Sequence, residues 1–502
     1  MSIKTKLLSN AFYISLNHFS IAFLNFLYWI VAGKMLLSEQ YGIATTTISF
    51  ITILSNLSLL GLGSSLRKLI PEYQAKNKKN KIYGIINYSF KLVSITNLFI
   101  FFLIITIVPF LARSVFNSKE MILPLYLSMI GIPLYSLYII FISIIYGFQN
   151  MKLNFFSNFL GTLSKNIVSI ILILLNFTYF GPILGFFVNL LLVSIILSRK
   201  IPFNKGRVDK KELKSYMVSG LAHIIFWLIL NQSGYLILSC LDSLEAAGIL
   251  GLIFNLALPI IMIPEILSSS AFPLLSQLYG KNDNKNIKKI LFQIFRYALL
   301  ITVPVSLFIF LFPTQIIYLL GNPSYLPGYR LLQVFSISHL ILGIGTFFSL
   351  SLYALGKPNS YRNIKIIQSV VFLLITLLLV YNGHSFMSIG YSFLSVGIIT
   401  FLMGVTLLNK YYSLRIEITP ILKIIVSSLI SVLFLLLMKP YVEGIFMIIL
   451  TALTSTIIYC FILLILRFFR EDDLWILNEL KRKFPGMKKI FDVSEKIMRK
   501  YV

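Results

Sequence analysis

Carboxylates are scarce in this chain: 17 Asp and Glu stand against 44 Lys and Arg in 502 residues. Cysteine is scarcer, and Cys240 and Cys460 stand at no metal-ligand spacing. They read as packing residues and say nothing of redox compartment. No phosphate-cradling GxxxxGK[ST] loop, no HExxH and no other complete motif for nucleotide or metal chemistry occurs. No cofactor or metal is therefore expected, and any work the protein does must draw on an ion gradient, a membrane potential or a substrate gradient.

What fills the sequence is apolar. Hydrophobic residues make up 58% and charged ones only 12%, a balance that a soluble protein cannot spread over its surface without large exposed apolar patches. Apolar runs of about 20 residues place fourteen spans, roughly at 8–32, 41–63, 87–111, 121–146, 154–177, 181–198, 217–240, 246–270, 290–313, 329–353, 364–381, 387–408, 421–438 and 444–466. The expected class is an all-α polytopic membrane protein. The first run is too long for a secretory core region and lacks a small-residue cleavage site, so the first helix is expected to be retained.

The spans repeat at an offset of about 205 residues. His18 and Asn25 recur as His223 and Asn231, Glu39 and Gly42 as Glu245 and Gly248, Lys91 as Arg296, and Gly185 as Gly390. Six crossings per copy is an even number, so both copies start from the same side and are related by a pseudo-two-fold along the membrane normal, with a central cavity between them. The expected division is a lobe at 1–205, a lobe at 206–415, two added helices within 416–466, and a basic tail from 467 to 502.

A net charge of +27 on one soluble domain would point to nucleic acid, but here the basic residues sit in alternate loops, and no nucleic-acid partner is expected. Apart from Lys34, Arg113, Lys119, Arg330 and Lys439 on one side, and Lys165 deep within a span, all the Lys and Arg fall on the side holding both termini or within the first two turns of spans that open there. The positive-inside rule makes that side cytoplasmic. Its densest clusters, 76–81, 199–214, 281–289 and the tail, suit contact with anionic membrane lipids. The longest connection on the other side, about 312–330, leaves no room for a folded domain. In the tail, Leu474, Trp475, Ile476, Leu477, Leu480, Phe484, Ile490, Phe491 and Ile497 alternate with charges, the pattern of interfacial amphipathic helices that anchor the chain or dock a partner.

Polar residues within spans must face other helices or a wet cavity, because lipid offers them no partner. Lys165 stands about eleven residues into its span, roughly 16 Å at 1.5 Å per residue, near the middle of a ~30 Å hydrocarbon core. It cannot readily snorkel to either surface. It either attracts an anionic group on a substrate or pairs with a carbonyl or carboxylate, and its own span holds no acid. Glu265, beside Pro264, is the main intramembrane carboxylate: an ion-coupling group or half of a structural pair. His18 and His223 begin two matching polar faces continued by Asn25 and Asn231, and these faces are expected to meet across the cavity, as proton-responsive groups or as packing contacts. Arg67 and Lys68 at the cytoplasmic side and Arg330 at the outer side are either interfacial anchors or, with Lys165, steps of a cationic path suited to a phosphate-bearing cargo. Most aromatics, Tyr28, Trp29, Trp227 and Tyr235 among them, belong to lipid belt or core, with some placed to stack on sugar rings.

The stretch Ser38-Glu39-Gln40-Tyr41-Gly42, then Leu59-Leu60-Gly61-Leu62-Gly63 leading to Arg67 and Ile70-Pro71-Glu72-Tyr73, resembles the early region of polysaccharide flippases of the Wzx type, in the multidrug/oligosaccharidyl-lipid/polysaccharide superfamily. In the second copy Asp242 to Gly248 precedes Ala271-Phe272-Pro273-Leu274-Leu275-Ser276, and Leu320-Gly321 with Tyr325 precedes Ala354-Leu355-Gly356-Lys357, in the order of that family. The resemblance covers nearly the whole chain and rests on scaffold turns more than on a substrate site. It implies fourteen helices, two lobes and alternating access for a polyprenyl-(pyro)phosphate-linked oligosaccharide moving to the outer leaflet of the cell membrane, without catalysis, in contact with glycan-assembly machinery. The same superfamily holds the flippase for the lipid-linked peptidoglycan precursor and cation-coupled multidrug exporters. Exporters of cationic cargo would be expected to carry cavity acids, which the first helix lacks. A membrane glycan polymerase is the alternative of a different class.

Overall fold

The computed structural model describes residues 3–413, 417–442, 444–470, 473 and 492. The tail residues on which the amphipathic pattern rests, Leu474 to Ile497, lie outside the described residues. The described residues form helices joined by short turns, with no strand among them. Thirteen helices are long and apolar enough to cross a membrane, or fourteen when one pair bent by 51° counts as a single span.

The first six crossings are α1 (Ile3–Met35), the bent pair α2 (Ser38–Ser58) and α3 (Leu62–Ala75), α4 (Lys79–Phe110), α5 (Ile122–Gly147), α6 (Met151–Leu174) and α7 (Phe180–Ser198). The next six are α8 (Lys210–Asn231) continued by α9 (Ser233–Leu241), α10 (Leu244–Gly280), α11 (Asn284–Leu311), α13 (Tyr329–Ala354), α14 (Pro358–Tyr381) and α15 (Met387–Tyr412), with the short α12 (Pro313–Leu320) before α13. Where turns give way to helix, side chains take up the free N–H groups of the first turn. Asn150 accepts from Leu153 N, Asp209 from Glu212 N, Ser243 from Ala246 N and Asp283 from Asn286 N.

The two sets pack alike. In the first, α5 packs on α2, α4 and α7, and α6 on α1 and α7; in the second, α13 packs on α10, α11 and α15, and α14 on α8 and α15. These are the two lobes that the repeat implies. The added helices α16 (Ile418–Met438) and α17 (Gly444–Ile465) pack on α11 of the second lobe, where Tyr459 donates its hydroxyl to Leu300 O at 3.0 Å.

Polarity is inverted relative to a soluble fold. Large apolar side chains such as Phe99, Leu374 and Leu433 are exposed on the outside, where lipid receives them. Hydroxyls and amides are turned inward and bonded between helices, as in Ser58 with Ser136 (2.9 Å), Gln368 to Thr400 (2.7 Å) and Thr376 to Ser392 (2.8 Å). With no hydrophobic drive between helices in lipid, close packing of small residues and such bonds hold the bundle together.

The lobes meet at both ends. At the end where α2 and α10 begin, Gly42 and Gly248 let the two helices cross almost backbone to backbone. A Cβ on Gly42 would lie 1.7 Å from Leu244 O, and one on Gly248 the same 1.7 Å from Ser38 O. The two contacts exchange under the sequence repeat, so the pseudo-two-fold passes between these glycines. Ser38 Oγ donates to Glu245 Oε1 at 3.3 Å, Tyr325 donates to Leu36 O at 3.1 Å and Lys34 Nζ to Tyr318 O at 2.6 Å, closing this end further. At the opposite, lysine- and arginine-rich end, α3 packs on α8. The bend between α2 and α3 falls at Gly61, whose φ of +82° suits glycine; its missing Cβ would lie 2.1 Å from Met217 O.

Candidate functional site

Between these two closures lies a cavity of about 240 Å³. From the first lobe it is lined by Tyr28 and Trp29 of α1, Tyr41, Thr45 and Ser49 of α2, Lys165 and Ser169 of α6 and Phe186 of α7; from the second by Gln232, Tyr235 and Asn255. Among the described residues Lys165 is the one charged residue in this lining.

Its position follows from a polar seam between α1 and α6. Lys165 Nζ donates to Asn25 Oδ1 at 2.7 Å, and the next residue, Asn166, donates from Nδ2 to Leu24 O at 2.7 Å. The ammonium also stands 5.3 Å from the centre of the Tyr28 ring, a cation–π distance. Among the described residues Lys165 has no ion-pair partner, so the charge is oriented by neutral groups and left available. The rings beside it form a continuous wall: Tyr28 on Trp29 (5.2 Å), Trp29 on Tyr41 (4.7 Å) and Tyr41 on Tyr325 (6.4 Å). The Tyr41 hydroxyl is buried and has no partner among the described residues. A cavity lined by one cation, hydroxyls, amides and aromatic walls can compensate an anion and take up a polar ring; among the described residues it offers a cationic ligand no carboxylate.

Of the residues singled out in the sequence, Lys165 and Asn25 are brought together. Asn231 is exposed and donates back to Trp227 O of its own helix at 2.9 Å, so the two asparagines bond within their own lobes rather than to each other. The residue after it, Gln232, interrupts α8 and α9 and reaches the cavity instead. His18 is exposed on α1, and the His223 side chain lies outside the described residues. Glu265 of α10 interacts electrostatically with Lys365 of α14. Arg67 lies with its guanidinium 4.8 Å from the Tyr146 ring centre, away from the cavity. Arg330 is exposed at the other end and donates from Nε to Tyr329 Oη at 2.8 Å. Lys68 lines a second, open cleft of about 630 Å³ at the basic end, between Ser64 of α3, Tyr216 of α8 and Tyr353, Tyr361 and Arg362 of the second lobe.

Sequence reasoning missed Arg362, Gln232 and Asn255. The polar run Asn231-Gln232-Ser233 inside an apolar stretch was the signal for a broken helix, a device by which transporters line midplane sites. It also missed His339, fully buried among Phe254, Phe335 and Phe393, with Nε2 unpartnered among the described residues.

Fold and cavity define the class: a two-lobed, all-helical membrane protein with a central chamber closed at both ends. The family described as "Polysaccharide biosynthesis protein" matches residues 7–279, more than half of the chain, and the chain belongs to that family. The MatE family matches residues 219–378. An uncharacterized membrane protein of Methanocaldococcus jannaschii is 24% identical over 404 residues, covering 76% of this chain and 80% of the relative. Among solved structures, the lipid II flippase MurJ in an inward closed conformation superposes with a TM-score of 0.73 at 18% identity, covering 89% of this chain and 97% of that one. A multidrug resistance MATE family transporter of the MOP superfamily in an inward-facing conformation gives 0.59 at 16% identity, covering 78% and 94%. At these identities the likeness concerns the fold.

Proposed function

We propose that the protein is a flippase that carries a polyprenyl-linked oligosaccharide from the cytoplasmic to the outer leaflet of the cell membrane, with both termini cytoplasmic. The observation that carries this reading is Lys165, a solitary cation held by Asn25 in a chamber closed at both ends between two lobes. A lysine in that position compensates a phosphate while the aromatic wall takes the adjoining sugar. The tail of the carrier lipid stays in the bilayer. Lys68 and Arg362, on facing walls of the cleft at the basic end, meet the headgroup as it arrives from the cytoplasmic side. Transport consists in opening first the α3–α8 contact and then the α2–α10 crossing.

Membership of a polysaccharide biosynthesis family supports the glycan. The absence of a carboxylate from the chamber lining among the described residues argues against export of cationic drugs. On this reading the work is movement rather than bond formation: among the described residues the chamber lining holds no paired carboxylates.

The direct test is reconstitution. Proteoliposomes given a short glycan on a polyprenyl carrier in the inner leaflet are expected to expose it to an impermeant lectin at a rate set by the protein. Exposure no faster than in protein-free vesicles sinks the flippase reading, and glycan extension by the purified protein would replace it with a polymerase.

A further inference from the structure

We infer that Gln232 reads the first sugar of the cargo: its side-chain amide, on the second lobe, exchanges hydrogen bonds with a hydroxyl or acetamido group of the sugar whose phosphate Lys165 holds on the first lobe. The inference rests on the flippase reading and deepens it by naming a residue that tells one sugar from another.

Gln232 stands where α8 stops and α9 begins, with a φ of −125° and a ψ of −30°. A break in a membrane helix frees backbone groups that must find partners within the protein. The residues on either side spend their side chains on that backbone: Asn231 donates from Nδ2 to Trp227 O at 2.9 Å, and Ser233 from Oγ to Ile229 O at 2.6 Å. The N–H of Gln232 itself continues the helix to Leu228 O at 2.8 Å. Its side chain takes no part. Half-buried, the amide lines the chamber and makes no hydrogen bond among the described residues. An amide that the scaffold does not use, set between two neighbours that it does, is placed for a ligand.

The chemistry of the lining says which part of the cargo this ligand group belongs to. The one charge comes from the first lobe, in Lys165, and the second lobe contributes Gln232, Tyr235 and Asn255. A phosphate is therefore drawn to the first lobe and leaves the second to a neutral group. Asn255 has already given Nδ2 to Gly251 O at 2.6 Å, so its Oδ1 remains to accept. Gln232 offers two N–H donors and a carbonyl acceptor together. An acetamido group, or two adjacent hydroxyls, presents the complement. Cargo held in this way bridges the lobes, phosphate on one and sugar on the other. The contact is neutral and works in a chamber that water reaches: such a bond, exchanged against water, changes a rate by about two- to tenfold.

The experiment pairs changes in the cargo with changes in the protein. One short oligosaccharide is mounted on the same polyprenyl carrier with its first sugar intact, or with each hydroxyl or acetamido group of that sugar removed in turn. Initial exposure of the distal sugar to an impermeant lectin is the readout. In the parent protein at least one analogue is expected to flip about two- to tenfold more slowly than the intact cargo. Gln232→Met, of similar length and without donor or acceptor, is expected to carry the intact cargo at that reduced rate, to lose nothing further on that analogue, and to melt within a few degrees of the parent. Gln232→Asn, an amide on a shorter stem, is expected to keep part of the preference. Ser233→Ala removes a bond that supports the break and is expected to lower the melting temperature while leaving the preference intact; loss of the preference there would assign it to the break and not to the amide. Multiplying losses from the analogue and Gln232→Met overturn the inference, as does the absence of any slowed analogue, and both leave the flippase reading standing. A Gln232→Met protein that no longer folds makes the amide part of the scaffold and overturns the inference too. Failure of the intact cargo to move faster than in protein-free vesicles overturns the flippase reading and this inference with it.

Discussion

Lys165 is held by Asn25 across the α1–α6 contact, and the repeat argues that the fold does not need it. The repeat places Val370, an exposed α14 residue, at the matching position of the second lobe, so the scaffold can be built with an apolar side chain there. Lys165→Ala is accordingly expected to insert and fold, to keep its melting temperature within a few degrees, and to lose transport. Lys165→Arg keeps the charge with a larger, planar donor set and is expected to retain part of the rate. Normal transport by the alanine variant in the lectin assay would make the lysine structural. Arg296 is the opposite case. Its side chain is 2% exposed and paired with Asp473, which also receives the Tyr297 hydroxyl. Its repeat counterpart, Lys91, is exposed in the lobe that lacks α16 and α17. Asp473→Ala would leave a buried guanidinium uncompensated, with an expected cost of about 3–5 kcal/mol, visible as a lowered melting temperature in detergent. Substituting Arg296 and Asp473 together by Met and Leu should recover most of that loss; no recovery would mean that Asp473 acts through Tyr297 alone.

At the scale of elements, much was legible because lipid imposes simple rules. Runs such as 154–177 and 387–408 had to be helices for want of any other way to pair their backbone, and α6 (Met151–Leu174) and α15 (Met387–Tyr412) fall on them. The recurrence of Gly42 and Gly248 was legible too, although nothing in one dimension said that the two glycines lie against each other. The chamber was half legible. A charge in an apolar run stands out, so Lys165 was found; Gln232 and Asn255 carry no charge, and Asn231 drew attention in place of its neighbour. One residue turns a helix by about 100°, enough to move a side chain from chamber to surface, and the break at Gln232 resets that rotation. The glycine crossing yields its own expectation. Gly42→Ala or Gly248→Ala puts a methyl 1.7 Å from a carbonyl oxygen of the facing helix, so α2 and α10 must separate. Each variant is expected to lose about 1–3 kcal/mol or more by overpacking and, in a background of Cys240→Ser and Cys460→Ser, to let a thiol reagent label a cysteine at Thr45 faster than it does with Gly42 and Gly248 in place. Unchanged stability in both would mean that the crossing is looser than described.

For the whole molecule, the question is whether the two closures open in turn. The α3–α8 contact at the basic end can be tested covalently, because Cβ atoms built at Gly220 and present at Ser64 lie 2.9 Å apart, whereas a disulfide spans ~3.5–4.5 Å between Cβ atoms. Separation of the two helices by under about 1 Å therefore accommodates the bond. In a background of Cys240→Ser and Cys460→Ser, the pair Ser64→Cys and Gly220→Cys should form a cross-link that holds this end shut. Under the alternating scheme the oxidised protein transports nothing, since cargo can neither reach the chamber from the cytoplasmic leaflet nor let the lobes reset. Reduction should restore the rate. Because Gly220 also lies close to Gly61 O, 2.8 Å from its built Cβ, the reduced double variant serves as its own control for crowding. Full transport by the cross-linked protein would show that α3 and α8 stay together throughout the cycle, and the gate at the basic end would then have to lie elsewhere between the lobes.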